Sequence, residues 1–283
     1  VHYALPIRRD ALHEMLLSVG VDGANLVAVP DRAHISSVPD VLACKHAYPE
    51  ETYAFTSLDV SEYMRHPKTV GRRMKAFVRR MLRAGCDGIK IIEGKPDMRR
   101  MLPVLDFDSP VWEPLFAWAE RRQIPILWHV NDPEEFWDEA RIPAFAKERG
   151  WFYGEESVNN EEQYRQVLAL LARHPKLRIT FAHMFFLSAQ LERLAGYMRS
   201  FPNIRVDLTP GVELYVNLSK APKPRARSSR SSPVASCSAR TSGRAPSSAE
   251  RLLIKRKACS ASSSAAAFSK KRGSLPSKRT AAF

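Results

Sequence analysis

Over its first 219 residues this chain alternates short apolar runs with amphipathic stretches, and that alternation leaves few folds open. Residues 24–30, 53–60, 88–94, 124–129, 177–183 and 204–211 read as buried strands or strands with their loops, and His2-Tyr3 reads as the stub of an earlier one. Between them, apolar residues recur at the three- and four-residue spacing of a helix face. Asp10 can cap a helix that carries Leu12, Met15, Leu16 and Val19 and stops at Gly20. Further helices are predicted over 70–84, 111–122 and 160–174, and one capped by Ser188 carries Leu191, Leu194 and Tyr197. Strands that alternate with helices build right-handed parallel βαβ units. Seven such units fit an α/β fold of the TIM-like (β/α)8 barrel type, incomplete because the eighth strand is missing. The open doubly wound sheet is the alternative. No glycine-rich phosphate loop follows the first strand, which weakens a nucleotide-binding version of it.

Charge divides the chain in two. The formal net charge is +14, yet residues 220–283 carry 16 Lys and Arg against a single acid, Glu250, while residues 1–219 carry 28 basic and 29 acidic groups. The expected organisation is therefore a barrel domain over 1–219 and a tail over 220–283. In the tail, serine and alanine fill 16 and 13 positions and apolar periodicity nearly disappears. Such a composition cannot offset its ordering entropy, so the tail is expected to be disordered. It also supplies a second functional reading, a non-catalytic protein whose basic tail binds nucleic acid or anionic surfaces in a salt-dependent way. Only Phe268 and Phe283 lie among those charges, so base stacking is not expected, nor is specific nucleic-acid recognition. No apolar run is long enough for a membrane helix, and the start shows no secretory pattern. Cys44, Cys86, Cys237 and Cys259 lie far apart, which suits reduced thiols in a cytoplasmic protein.

The chemistry-bearing residues sit at strand ends. His129 and His183 close two similar apolar runs from successive units, and a histidine at the C-terminal lip of a barrel strand points into the mouth. The pair reads either as a metal or acid–base site or as two satisfied core histidines. His66 and His174 each precede a proline and are expected to be solvated. Lys90 reads as an inward-facing lysine paired with Glu93 or another carboxylate, with a metal-ligand role as the alternative. After the His129 strand come Asn131 and Asp132 and an aromatic-rich segment, 136–153. There Trp137, Trp151, Phe152 and Tyr153 either wall a substrate pocket or form a small core of their own. Asn131, Asp132 and Trp137 are the expected substrate contacts. The arginines over 72–83 read as a solvated outer helix face.

Together, Val1-His2, the run Gly88-Ile89-Lys90-Ile91-Ile92-Glu93-Gly94-Lys95-Pro96, Trp128-His129-Val130-Asn131-Asp132, Phe181-Ala182-His183 and Val206-Asp207-Leu208-Thr209-Pro210-Gly211 resemble the amidohydrolase superfamily. The likeness is to its amidohydrolase-related (type 2) branch, which includes decarboxylases of the aminocarboxymuconate-semialdehyde type. The resemblance implies a barrel with one divalent ion, usually zinc, and hydrolysis or decarboxylation of a small carboxylated or cyclic substrate. By that likeness His2, His129 and Glu93 are expected metal ligands and His183 the catalytic histidine, in a protein that is often a homodimer. Two elements of the family pattern are absent, namely the first histidine of the strand-one pair and the Gly-Thr-Asp of strand eight. Read one base out of frame, Ala239-Arg240-Thr241 becomes Gly-Thr-Asp, so residues 220–283 are expected to be a frame-shifted version of the family's C-terminus. On that reading strands one and seven expose unpaired edges, and activity is expected to be impaired.

Overall fold

The computed structural model describes residues 2–3, 9–30, 36–209 and 212–220. Within them seven strands form one parallel sheet in the order β1-β2-β3-β4-β5-β6-β7. The strands are β1 (His2–Tyr3), β2 (Ala24–Ala28), β3 (Thr52–Thr56), β4 (Gly88–Gly94), β5 (Ile126–Val130), β6 (Ile179–Phe181) and β7 (Ile204–Val206). The helices are α1 (Arg9–Ser18), α2 (Val38–Ala47), α3 (Ser61–Arg65), α4 (Val70–Arg83), α5 (Pro96–Met101), α6 (Glu113–Arg121), α7 (Ala144–Glu148), α8 (Asn160–Arg173), α9 (Leu191–Ser200) and α10 (Val212–Lys220). A doubly wound sheet reverses direction at a switch point. Here every connection steps one strand onward in the same sense, which is the winding of a β/α barrel. Val27 of β2, Leu127 of β5 and Asp207 beyond β7 line one cavity, so the sheet curls far enough to bring its two halves face to face. Among the described residues β1 and β7 are the sheet's two ends.

Side-chain alternation sorts each strand into two faces. Ile89, Ile91, Ile126, Trp128, Ile179, Phe181 and Ile204 point outward into the main apolar core beneath the helices. Trp128 anchors it, stacked on Phe116 at 5.5 Å and edge-on to Phe107 at 4.8 Å. The alternate residues Val27, Lys90, Leu127 and His129 point inward. Helix α4 shows why its basic sequence still packs. Val70, Met74 and Val78 recur every four residues on the buried face, whereas Arg72, Arg73, Arg79, Arg80 and Arg83 are exposed. Asn159 caps α8 by accepting from the Glu161 N–H at 2.9 Å.

Several expectations meet different packing. His174 is buried rather than solvated, with Nε2 3.0 Å from Glu113 and Nδ1 3.2 Å from Glu120. Ser188 does not cap α9; its hydroxyl bonds Asn217 on α10 at 3.0 Å. The segment after β5 does form its own small core, from Phe136, Ile142, Ala146 and Tyr153 with Trp137, Trp151 and Phe152 against it. No helix among the described residues is long and apolar enough to cross a membrane. The tail over 221–283, its expected disorder, its frame-shifted reading and its nucleic-acid alternative lie outside the described residues.

Candidate active site at the C-terminal ends of the strands

His129 ends β5 with its ring inward and buried. Its Nε2 lies 3.2 Å from Asp132 Oδ1. Asp132 Oδ2 receives Lys95 Nζ at 2.6 Å and the Tyr153 hydroxyl at 2.5 Å, and Lys95 in turn lies 4.4 Å above the Trp151 ring. A carboxylate only accepts, so Nε2 carries the proton and Nδ1 keeps the lone pair. That Nδ1 is buried and has no hydrogen-bond partner among the described residues. Burial holds the imidazole neutral by driving its pKa down to about 3, against the opposing pull of Asp132. Burial alone would raise the Asp132 pKa, but Lys95 and the His129 hydrogen bond outweigh it and hold the group at about 2.

His183 arrives by a different device. Residues His183, Met184, Phe185 and Phe186 all have left-handed backbone, with φ of 56°, 52°, 59° and 54°. For residues with a Cβ this costs about 1–2 kcal/mol each, and such strain persists only where the surroundings over-determine it. Asp207 Oδ1 accepts from the His183 N–H at 2.7 Å and from Thr209 N–H at 3.1 Å, and the Asp207 carbonyl accepts from Met184 N–H at 3.0 Å. Phe185 stacks on Phe181 at 3.9 Å, and the Tyr164 hydroxyl donates to its carbonyl at 2.9 Å. His183 Nδ1 faces the Thr209 carbonyl at 3.0 Å. A carbonyl only accepts, so Nδ1 is the donor in this bond. The rings of His129 and His183 stand 5.1 Å apart, edge to face, and Phe186 lies 5.1 Å from each.

The two histidines share a cavity of about 580 Å³ with Lys95, Asp132, Phe136, Phe145, Arg149, Trp151, Phe186 and Glu213. Glu213, near the start of α10, has a buried Oε1 without a partner among the described residues, and burial pushes its pKa up. Glu213, Arg149 and Phe186 carry no signal in the sequence, whereas Asp207 belongs to the 206–211 run quoted for the resemblance.

Other expected site residues are placed elsewhere. Glu93 is fully buried, but its carboxylate faces its own Ile92 N–H at 2.9 Å and the Tyr63 side of the fold. It does not line the cavity that holds His129. Asn131 also lies outside it. Its Oδ1 accepts from Gln163 at 2.7 Å, and its Nδ2 donates to the Asn160 carbonyl at 3.2 Å, tying β5 to α8. Trp137 backs the wall rather than forming it, with Nε1 donating to the Val158 carbonyl at 3.1 Å and its ring 4.8 Å from Tyr153. Asp132 does line the cavity, but both its oxygens are engaged by protein groups, so it orients His129. His2 lies on β1 opposite Val27; its side chain is outside the described residues. Among the described residues no three His, Cys, Asp or Glu side chains group closely enough to hold a metal ion.

The neutral, buried His129 is expected to make the fold sensitive to acid. The unfolded chain takes up its histidine proton near pH 6.5, whereas the folded site refuses it until about 3. This contribution to stability is therefore complete above pH 6.5 and is lost progressively as pH falls toward 3. Urea unfolding at pH 7.5, 5.5 and 4.5 should show that decline. His129→Gln, which cannot titrate, should flatten it, and an unchanged profile would assign the sensitivity to other groups.

No protein-family model matches this chain, and no curated protein does either. Solved structures similar to it include an uncharacterized TIM-barrel protein from Bordetella bronchiseptica, at 15% identity over 70% of this chain and 58% of that one, with a TM-score of 0.49. This chain thus spans less than two thirds of that protein. Two others are a 2,6-dihydroxybenzoate decarboxylase from Rhizobium (15% identity, 75% and 73% covered, TM-score 0.46) and the 5-carboxyvanillate decarboxylase of Sphingomonas paucimobilis (18%, 74% and 67%, 0.43). Likeness at this level assigns neither reaction nor substrate to this chain.

Proposed function

We propose that this chain is a metal-dependent hydrolase or decarboxylase of the amidohydrolase kind, acting on a small carboxylated aromatic or cyclic substrate. One observation carries the reading: the imidazoles of His129 and His183, from successive strand ends and with ring centroids 5.1 Å apart, line one cavity at the barrel mouth.

The donors suit a zinc-type ion. Neutral imidazole is a preferred zinc ligand at about 2.1 Å, and His129 Nδ1 is a buried acceptor with no partner among the described residues. His129 and His183 would hold the ion, with His2 as the third ligand that the family likeness suggests. When bound, the ion supplies Lewis-acid polarisation of a carbonyl or a water. The protein's own groups do the rest. Asp132 fixes the His129 tautomer, as outer-shell carboxylates do. Thr209 and Asp207 fix His183. Phe136, Phe145, Trp151 and Phe186 offer flat apolar walls to a ring, and Arg149 offers a cation to a carboxylate. Glu213 Oε1 can hold or release a proton beside the substrate, since burial favours its protonated form.

Only two nitrogen donors are found among the described residues where catalytic zinc takes three protein ligands. Impaired chemistry is therefore the expectation. Calorimetric titration of the full chain with zinc should give one site with a dissociation constant in the micromolar range or weaker. His129→Ala should abolish it. Zinc binding that survives His129→Ala would remove the site. Nanomolar binding, with turnover of carboxylated aromatic acids or lactones, would overturn the expected impairment while keeping the site.

A further inference from the structure

Below the mouth lies a second, smaller cavity of about 190 Å³, which meets the first at His183. Val27 and Leu127 give it apolar walls, and Asp207 gives it one carboxylate. Lys90, in the middle of β4, forms part of its wall. The residue is 1% exposed, and its Nζ has no hydrogen-bond partner among the described residues. A buried, unpaired ammonium is costly, and such a group relieves the cost by shedding its proton. Burial drives the Lys90 pKa down to about 8, with Asp207 and Glu93 holding it back from falling further. A desolvated lysine of this kind is an amine nucleophile near neutral pH, unlike a surface lysine.

We propose that the Lys90 amine condenses with a small neutral aldehyde or ketone admitted to this inner cavity, forming an imine. The volume suits roughly six non-hydrogen atoms at about 30 Å³ each, and the Asp207 carboxylate disfavours an anionic guest. The Nζ lone pair attacks the carbonyl carbon while the carbonyl π pair moves to oxygen, which takes up a proton. The nitrogen passes a proton to the Asp207 carboxylate that lines the same cavity. The hydroxyl then takes a proton and leaves as water as the C=N bond forms. Amine plus carbonyl gives imine plus water, with no oxidant or reductant required. The step needs no metal ion, so it stands or falls apart from the function proposed for the mouth.

The test is reductive trapping on the intact full chain. The protein is incubated at pH 8 with dihydroxyacetone, reduced with sodium borohydride, and mapped by peptide mass spectrometry. The expected result is one reduced adduct on the peptide that contains Lys90, at least about tenfold above any other lysine peptide, as the difference between a pKa near 8 and an ordinary lysine implies. That preference should vanish when the same reaction is run in denaturing urea. Acetone should label Lys90 in the same way, whereas benzophenone, a ketone too large for the cavity, should not. Labelling of Lys90 no greater than that of surface lysines in the folded chain would overturn the proposal. Lys90→Met serves as the second check. If it folds, the dominant adduct must disappear, and its persistence on another residue would equally overturn the assignment.

Discussion

Gly94→Ala is expected to destabilise the barrel by more than about 4 kcal/mol, or to prevent folding outright, and to abolish the zinc binding proposed for the mouth. A Cβ on Gly94 would stand 2.2 Å from the His129 carbonyl oxygen and 2.9 Å from the Val130 Cα. Both are backbone atoms of the neighbouring strand, so no rotamer change relieves the clash. The two strands must move apart where they are held by the Asn131 N–H to Gly94 carbonyl bond at 2.9 Å. Overpacking a well-filled interior costs about 1–3 kcal/mol when side chains can adjust, and it belongs with the larger losses when backbone must shift. The strand that moves is the one that carries His129, so its ring would turn away from His183. Urea unfolding checks the first effect and zinc calorimetry the second. A loss below 1 kcal/mol with zinc affinity kept would show that β4 and β5 are not so tightly apposed here.

The strand ends were legible because alternation carries them. Leu127 and His129 share a face by period two, and the apolar residues flanking them face the helices, so an inward His129 followed from the sequence. Helix α4 was legible for the same reason, through residues 70, 74 and 78. Glu93 was not. The register between β4 and β5 shifts between Ile91 and Gly94, and one extra residue defeats a parity argument at the position where it mattered. Asn131 and Trp137 lie outside the cavity that holds His129 because adjacency to a strand end says nothing of direction. Asn131 has φ of 68° and turns back toward α8.

The left-handed turn at 183–186 had no local signature at all. Met184, Phe185 and Phe186 are among the residues least suited to that backbone, and what holds them lies 24 and 21 residues away in sequence, in Asp207 and Tyr164. Glu213 was hidden differently. It sits in α10, a nine-residue helix that runs directly into the change of composition at Lys220, too short for a periodic apolar face to stand out. Long-range partners decide the site's details, while periodicity decides its location.

Glu93→Gln is expected to stabilise the protein by about 2–3 kcal/mol at pH 8 and to change little at pH 4.5. Glu93 is fully buried, and burial raises its pKa to about 7, although its own backbone, the Ile92 N–H and Lys90 all favour the charged form. The unfolded chain gives up this proton near pH 4.5. Between 4.5 and 7 the folded state therefore binds more protons than the unfolded one, and stability falls as pH rises through that window. Above 7 the deficit is constant, at about 3 kcal/mol for a carboxyl moved from 4.5 to about 7. Glutamine has nearly the same shape and keeps an oxygen for the Ile92 N–H, which now lies 2.9 Å from the carboxylate, but it carries no charge to bury. The same variant separates the two roles open to this residue. As a metal ligand, Glu93 would lose zinc on becoming an amide and yield no gain in stability. As a buried acid beside Tyr63, it should leave zinc affinity intact while the urea midpoint at pH 8 rises. A midpoint that falls at pH 8, with zinc binding lost, would return Glu93 to the site from which its geometry removes it.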